Sequence, residues 1–396
     1  MGGLEWRCPG GGADRAHRGE WAHLYRRAGG HGRTPPPRAG AGLKERRRPR
    51  RLTYNRGRLS ITRKRTPPVE LIRGRHNLRP AHRGCAVTIG NFDGVHRGHR
   101  AVIEQVTARA RALGAASCVI TFEPHPREYF DPAGAPPRLA RLRDKVDAIA
   151  ALGVDRLLVL RCDRQLVQQA PETFVDDILV AGLGARHVVV GDDFRFGRKR
   201  RGDIGLLHEL APAAGFTVEA ARTHIVDGQR VSSTRVRQAL AAGDMEATAR
   251  LLGGPYTIRG RVVHGDKLGR DLGYPTANIA LDGFHLPTTG VFSVLAYDAA
   301  GRRLPGAANL GWRPTVQGRR ALLEVYAFDF DGDLYGAHLT VQLLARLRGE
   351  ERFDSLDDLI ERMHADARAA RADLTARGAL TAAPPPDSSP AQEDPS

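Results

Sequence analysis

The chain has 396 residues, enough for two domains with tails, and its 41% hydrophobic and 27% charged residues are ordinary for a globular protein. The formal net charge of +17 suggests a nucleic-acid binder, but residues 1–68 hold 18 of the 61 Lys/Arg and only 4 of the 44 Asp/Glu. The remainder is nearly neutral, which argues against nucleic-acid binding by the folded part. No apolar run approaches the ~18 residues of a membrane span, and the N-terminus lacks the apolar core of a signal peptide, so a cytoplasmic enzyme is expected. Four cysteines (Cys8, Cys85, Cys118, Cys162) form no CxxC pair. Cys85 and Cys118 fall in apolar runs and read as buried thiols.

Residues 1–68 are rich in Arg, Gly and Pro, with clusters at Arg46-Arg47-Arg48 and Arg63-Lys64-Arg65 and no sustained apolar periodicity. Such a stretch buries too little to offset chain entropy, and disorder is expected. An RNA-binding arm and an Arg-rich, acid-poor transit peptide are its functional readings.

From about 84 to 252, apolar β-rich runs at 86–89, 117–122, 156–160, 187–191 and 216–219 alternate with helical patterns at 102–113, 142–152, 172–183 and 204–214. The alternation predicts an α/β fold, a doubly wound parallel sheet with ligands beyond the carboxyl ends of its strands. The first run feeds Gly90-Asn91-Phe92-Asp93-Gly94-Val95-His96-Arg97-Gly98-His99 and then a helix. Free N–H groups and the helix dipole make such a turn an anion site, and His96 and His99 add donors. Taken alone, two histidines in a βα turn are more often plain surface groups.

Residues 121–126 (Thr-Phe-Glu-Pro-His-Pro) follow the second strand; the prolines stiffen the loop, and Phe122 suits stacking on a flavin or adenine ring as well as a core position. In 191–197 (Gly-Asp-Asp-Phe-Arg-Phe-Gly), Asp192 or Asp193 suits ribose hydroxyls and Arg195 a phosphate. Val231-Ser232-Ser233-Thr234-Arg235-Val236-Arg237 opens a helix ending near 241. Its hydroxyls are ordinary N-caps unless they face the histidine turn, where with Arg235 they would clamp a triphosphate.

After Gly253-Gly254-Pro255 the pattern changes to β-runs at 256–263, 291–297, 322–328 and 339–347, closed by a helix over 355–372. A small antiparallel β-barrel with a terminal helix is predicted. The domains are then 69–252 and 256–375, and 377–396, rich in Ala, Pro and Ser, is expected to be a disordered tail. Gly265, Gly269 and Gly273 make a flexible phosphate cover, followed by Pro275-Thr276-Ala277-Asn278, where Thr276 and Asn278 offer hard oxygens for Mg²⁺. No GxxxxGK[ST] loop occurs in the sequence.

The His-x-Gly-His spacing resembles the nucleotidyltransferase superfamily, and the ten-residue string 90–99, taken with the later motifs, resembles the bacterial bifunctional riboflavin kinase/FAD synthetase family over roughly 69–372. The resemblance implies that riboflavin is phosphorylated at its 5′-hydroxyl in the C-terminal domain and that FMN is adenylylated in the N-terminal one, with ATP as substrate at both sites and Mg²⁺ as cofactor. It places Gly90, Phe92, Asp93, Gly94, Gly98, Asp192, Phe196, Ser232, Ser233, Thr234 and Arg235 on the nucleotide, and His96, His99 and Arg237 in catalysis. In the barrel it places Gly265, Lys267, Gly269, Arg270 and Gly273 on the nucleotide, Thr276 and Asn278 on the metal, and Glu324 as the base. Asn309, Arg313, Arg346, Glu350 and Phe353, with Phe122 from the other half, are implied around the flavin. Tyr326 departs from the pattern, standing where a histidine is frequent.

The chemistry accords with these residue types. A phosphomonoester with a second pKa near ~6 is already ionised, so FMN needs no base as nucleophile, whereas the alcohol of riboflavin must lose a proton during attack. Two other readings are a nucleotidyltransferase acting on another phosphate-bearing metabolite with the barrel as a binding module, and a non-enzymatic RNA binder acting through 1–68. Partners are expected to be small molecules, with no membrane; a homo-oligomer is compatible with the sequence. Members of the resembled family usually begin just before a segment like 69–74, so translation is expected to start at Val69 through a valine initiator codon. Intact mass of the native protein checks this, and a mature chain containing Arg46 overturns it.

Overall fold

The computed structural model describes residues 69–265, 273–315 and 318–380, except for the side chains of 314, 315, 318 and 319. The expectations for 1–68, for Lys267, Gly269 and Arg270, and for 381–396 lie outside the described residues. The described residues of both halves belong to one compact unit.

The N-terminal half runs β1 (Glu70–Arg73), β2 (Cys85–Ile89), α1 (Arg97–Ala112), β3 (Ala116–Glu123), α2 (Pro126–Phe130), α3 (Leu142–Ala150), β4 (Arg156–Arg161), α4 (Arg164–Gln168), α5 (Pro171–Phe174) with a wider-wound continuation Val175–Gly182, β5 (His187–Val190), α6 (Ile204–Ala214) and β6 (Thr217–Ala220). A two-stranded ribbon, β7 (Ile225–Val226) and β8 (Gln229–Arg230), precedes α7 (Ser233–Ala242) and α8 (Met245–Leu252). The six main strands are parallel in the order β1-β4-β3-β2-β5-β6. The strand order reverses at β2, which pairs with β3 on one side and β5 on the other, so the crevice beyond these strands is the natural ligand site. Central strands are buried on both faces, as the unbroken burial of β2 and β5 shows. Cys85 and Cys118 are wholly buried, as the sequence predicts.

The C-terminal half comprises β9 (Tyr256–Val263), β10 (Ala277–Ala280), β11 (Gly290–Tyr297), β12 (Arg303–Thr315), β13 (Gly318–Ala327), β14 (His338–Arg348) and α9 (Leu356–Ala376). It is a closed barrel in the order β10-β13-β12-β11-β14-β9, antiparallel throughout, with β9 pairing β10 to close it. Period-two alternation sends Ile279, Phe292, Ala308, Leu310, Leu323, Val325 and Val341 inward, where they fill the interior as one apolar core. Leu240, Met245, Leu251 and Leu252 from α7 and α8 belong to that same core, so the two helices close one end of the barrel.

The structure differs from the sequence reading in several places. Strands β1, β7, β8, β10 and β12 were not foreseen; in β10 and β12 the motif residues Asn278 and Asn309 sit inside the strand, hidden by Gly and Pro neighbours. Helix α9 runs to Ala376, beyond the predicted end at 372. The expected tail from 377 stays packed through Leu380: Gly378 takes a left-handed turn (φ 62°), Ala379 N–H bonds the Leu374 carbonyl at 2.7 Å, and Arg303 reaches the Ala379 carbonyl at 2.7 Å. Ala370, Leu374 and Ala379 cover Ala307 and Phe328 on the outer barrel wall. Leu374→Ala, which deletes a fully buried side chain there, is expected to cost about 2–5 kcal/mol, read as a lower urea midpoint at unchanged slope.

Candidate active sites

The first candidate site is built on the turn leaving β2. His96 caps α1: its Nδ1 accepts the His99 backbone N–H at 3.2 Å, which leaves the ring proton on Nε2. The His96 and His99 rings stack with centroids 3.6 Å apart, and Phe92 meets His99 edge-on. Burial drives His96 down to about 4 and His99 well below the ordinary imidazole range, so both are neutral donors at physiological pH. His99 Nδ1 is buried without a partner.

Packing constrains this turn tightly. Phe92 (φ 48°) and Val95 (φ 40°) adopt left-handed backbone rarely open to side-chain-bearing residues, a strain of order 1–3 kcal/mol each held by the surroundings. At Gly98 a Cβ would stand 3.3 Å from both the His96 ring and the Val231 carbonyl, so the glycine admits the chain leading into α7. Asp93 is only 2% exposed, and its carboxylate accepts the N–H groups of Leu139 (3.0 Å) and Ala140 (3.2 Å) and the guanidinium of Arg237. Ser233 Oγ donates to the Asp93 carbonyl at 3.1 Å, and Arg237 Nε to the Pro137 carbonyl at 2.6 Å. The histidine turn and the start of α7 therefore meet.

Other expected residues find competing partners. Arg235 donates to the carbonyls of Val226, Gln229 and Arg230 and fastens the β7–β8 ribbon. Ser232 caps α7 by accepting the Arg235 N–H at 3.3 Å. Asp192 and Asp193 both pair with Arg230, at 2.8 and 2.9 Å, and Arg195 pairs with Asp203. Phe196 lies in the core between Phe174 and Phe194, and Phe122 packs against the same core. Sequence reasoning missed two residues here. His125 caps α2 and burial lowers it to about 4, and Lys145 on α3 is 3% exposed. The histidine stood in a quoted motif; the lysine carried no signal beyond a charge on an apolar helix face.

The second candidate site lies on the outer wall of the barrel. On β13, Leu323 and Val325 point inward, so Glu324 faces out, directly opposite Asn278 on β10 and Asn309 on β12. Its Oε2 accepts Asn309 Nδ2 at 3.2 Å and pairs with Arg313. Asn278 is 7% exposed, Nδ2 reaching the Thr276 carbonyl at 3.4 Å, and a Cβ on Gly265 would collide with its amide at 2.4 Å. The gap at Gly311 is filled by Glu350, whose Oε1 would stand 2.3 Å from a Cβ there. Tyr326 meets Tyr274 edge-on at 4.9 Å, and the Tyr274 hydroxyl bonds His364 Nδ1 on α9. Phe353 lies 5.7 Å under the Arg348 guanidinium, which forks onto Asp366 of α9. Arg346 stands apart from Glu324: its stem covers Gly243 at the α7–α8 turn, and its Nε is buried without a partner among the described residues. Gly273, left-handed at φ 82°, leads into the Thr276 segment. Among the described residues no three His, Cys, Asp or Glu side chains cluster as a metal site.

Comparison with known proteins agrees with this two-site division. The FAD synthetase family model matches residues 78–235 and the riboflavin kinase model residues 252–374. The bifunctional riboflavin kinase/FMN adenylyltransferase of Pseudomonas fluorescens is 53% identical over 305 residues, covering 77% of this chain and 97% of that protein. The Escherichia coli K12 protein of the same name is 46% identical over 310 residues, covering 78% and 97%. A solved structure described as a macrolide-efflux protein from Streptococcus pneumoniae superposes with TM-score 0.65 at 28% identity, over 77% of this chain and 99% of that one. Among the described residues no helix is long and apolar enough to cross a membrane, and we take that likeness as one of fold. The chain belongs to the bifunctional riboflavin kinase/FMN adenylyltransferase family.

Proposed function

We infer that the chain converts riboflavin and ATP to FMN on the barrel, and FMN and ATP to FAD and pyrophosphate at the histidine turn. The observation that carries this is the contrast between the two sites: neutral imidazoles with a tethered guanidinium at one, an outward carboxylate between two asparagines at the other.

In adenylyl transfer a phosphate oxygen of FMN attacks the α-phosphorus of ATP and pyrophosphate departs, with no proton to remove. Neutral His96 and His99 suit that step as hydrogen-bond donors to phosphate oxygens, aided by the α1 N-terminus, without the desolvation cost of buried cations. Arg237 is held in place by Asp93 and supports the same charge. In the kinase step Glu324, oriented by Asn309 and Arg313, takes the proton of the riboflavin 5′-hydroxyl as that oxygen attacks the γ-phosphorus, and the bond from the γ-phosphorus to the β–γ bridging oxygen breaks to release ADP.

Mg²⁺ fits the barrel site by its donor chemistry. Thr276 and Asn278 offer a hydroxyl and an amide oxygen by their chemistry, the Asn278 amide lying against Gly265, and Mg²⁺ keeps most of its other ligands as water and substrate phosphate. When bound, the ion neutralises charge on the phosphates. Glu350 and Phe353 flank the flavin side of the same wall. ATP consumption at both sites fits a cytoplasmic location.

Product chromatography, started separately from riboflavin and from FMN with ATP and Mg²⁺, tests the assignment. His96→Ala is expected to slow FAD formation about 10²–10³-fold while FMN accumulates. Glu324→Ala is expected to slow FMN formation about 10²–10⁴-fold and to leave added FMN convertible to FAD. Loss of both steps from either change in a folded protein would overturn the division of labour.

A further inference from the structure

Lys145 is the buried charge that the two sites so far leave without a task. It projects from α3 to the carboxyl end of β3, 3% exposed, and its single polar partner among the described residues is the Thr121 hydroxyl at 3.3 Å. Thr121 Oγ in turn donates to the Asn91 carbonyl at 3.1 Å, so the ammonium lies under the histidine turn, at the crevice end of the sheet. A lysine ammonium carries three donors, and two of these have no protein acceptor among the described residues. Burying a cation with one neutral partner is costly unless the missing partner is a ligand. The lysine charge also bears on the His99 ring, whose buried Nδ1 is a second group with no partner among the described residues.

The charged and titratable groups facing Lys145 come from every element around it: Asp93 in the turn, His99 on α1, Glu123 on β3, His125 and Glu128 on α2, and Arg138 in the loop before α3. Each of these carboxylates already has a guanidinium partner, Asp93 in Arg237 and Glu123 and Glu128 in Arg138, although Glu123 Oε2 is itself buried without a hydrogen-bond partner among the described residues. Among the described residues Lys145 donates to none of them.

We propose that Lys145 is a further catalytic residue of the adenylyl-transfer site, its ammonium gripping a phosphate oxygen of ATP or of FMN beside His99. The inference rests on the functional reading above. The bond formed joins an FMN phosphate oxygen to the α-phosphorus, and the bond broken is that between the α-phosphorus and the α–β bridging oxygen. Lys145 neither gives nor takes a proton; it offsets charge gathering on the oxygens. Burial lowers its pKa below the ordinary lysine range, so the charge is lost at a lower pH than that of a free lysine.

The full chain provides its own control, because FMN formation on the barrel reports folding. Lys145→Met is expected to lower kcat/KM for FAD formation about 10²–10³-fold with FMN formation unchanged within about twofold. A rise in KM for ATP assigns the contact to the nucleotide, and a rise for FMN assigns it to the flavin phosphate. Wild type should lose FAD formation on the alkaline side as Lys145 deprotonates, whereas Lys145→Arg should retain activity within about tenfold and lack that fall. Lys145→Met within about threefold of wild type, or the same alkaline fall in wild type and Lys145→Arg, overturns the proposal. If Lys145→Met also stops FMN formation, the fold has been lost and the Lys145→Arg pH profile decides. Wild type making FMN but no FAD would instead overturn the functional reading.

Discussion

The buried pair between Asp93 and Arg237 is the contact on which the geometry of the histidine turn depends. Asp93 is nearly inaccessible, and its oxygens hold three segments distant in sequence: its own turn, the loop at 139–140 and helix α7. A carboxylate taken out of water is tolerable only when hydrogen bonds and a counter-charge replace its hydration, and removing either partner of such a pair typically costs ~3–5 kcal/mol. The same tether lets the turn keep left-handed backbone at Phe92 and Val95, which would otherwise relax and swing the stacked histidines. Asp93 thus bears on the candidate site through what it positions.

The two sites solve opposite electrostatic problems. At the β2–α1 turn burial keeps both imidazoles neutral, so their rings add no positive charge to that of Arg237 and Lys145 nearby. On the barrel, the apolar interior leaves Asn278, Asn309 and Glu324 of the motif strands to the outer wall. Asn278, Glu324 and Asn309 consequently form a row across three strands at neighbour spacing, ~5 Å apart. Helix α9 then walls this surface through Tyr274–His364 and Arg348–Asp366.

Much of this was readable from the chain. The alternation of β and helical runs predicted the parallel sheet, and all nine predicted runs of the N-terminal half end within two residues of their observed positions because their apolar periodicity is strong. The Gly90–His99 string and the Pro-Thr-Ala-Asn segment marked both sites. What escaped was long-range competition for charged groups. Nothing local says that Arg235 will serve the carbonyls of a ribbon, that Arg195 will meet Asp203, or that Phe196 will be core. Lys145 was invisible for the converse reason: its burial arises from a strand and a turn far away in sequence.

The placement of α7 and α8 has a consequence for the chain as a whole. Gly253-Gly254 looks like a hinge between modules, yet Leu240, Met245, Leu251 and Leu252 plug the barrel end, and Gly243 seats the Arg346 stem. Severing the polypeptide at that glycine pair would unstopper the barrel and bare a greasy rim. The seam in the sequence therefore runs through the middle of a single cooperative body, and exchanging either half for a foreign one must carry the plug with it.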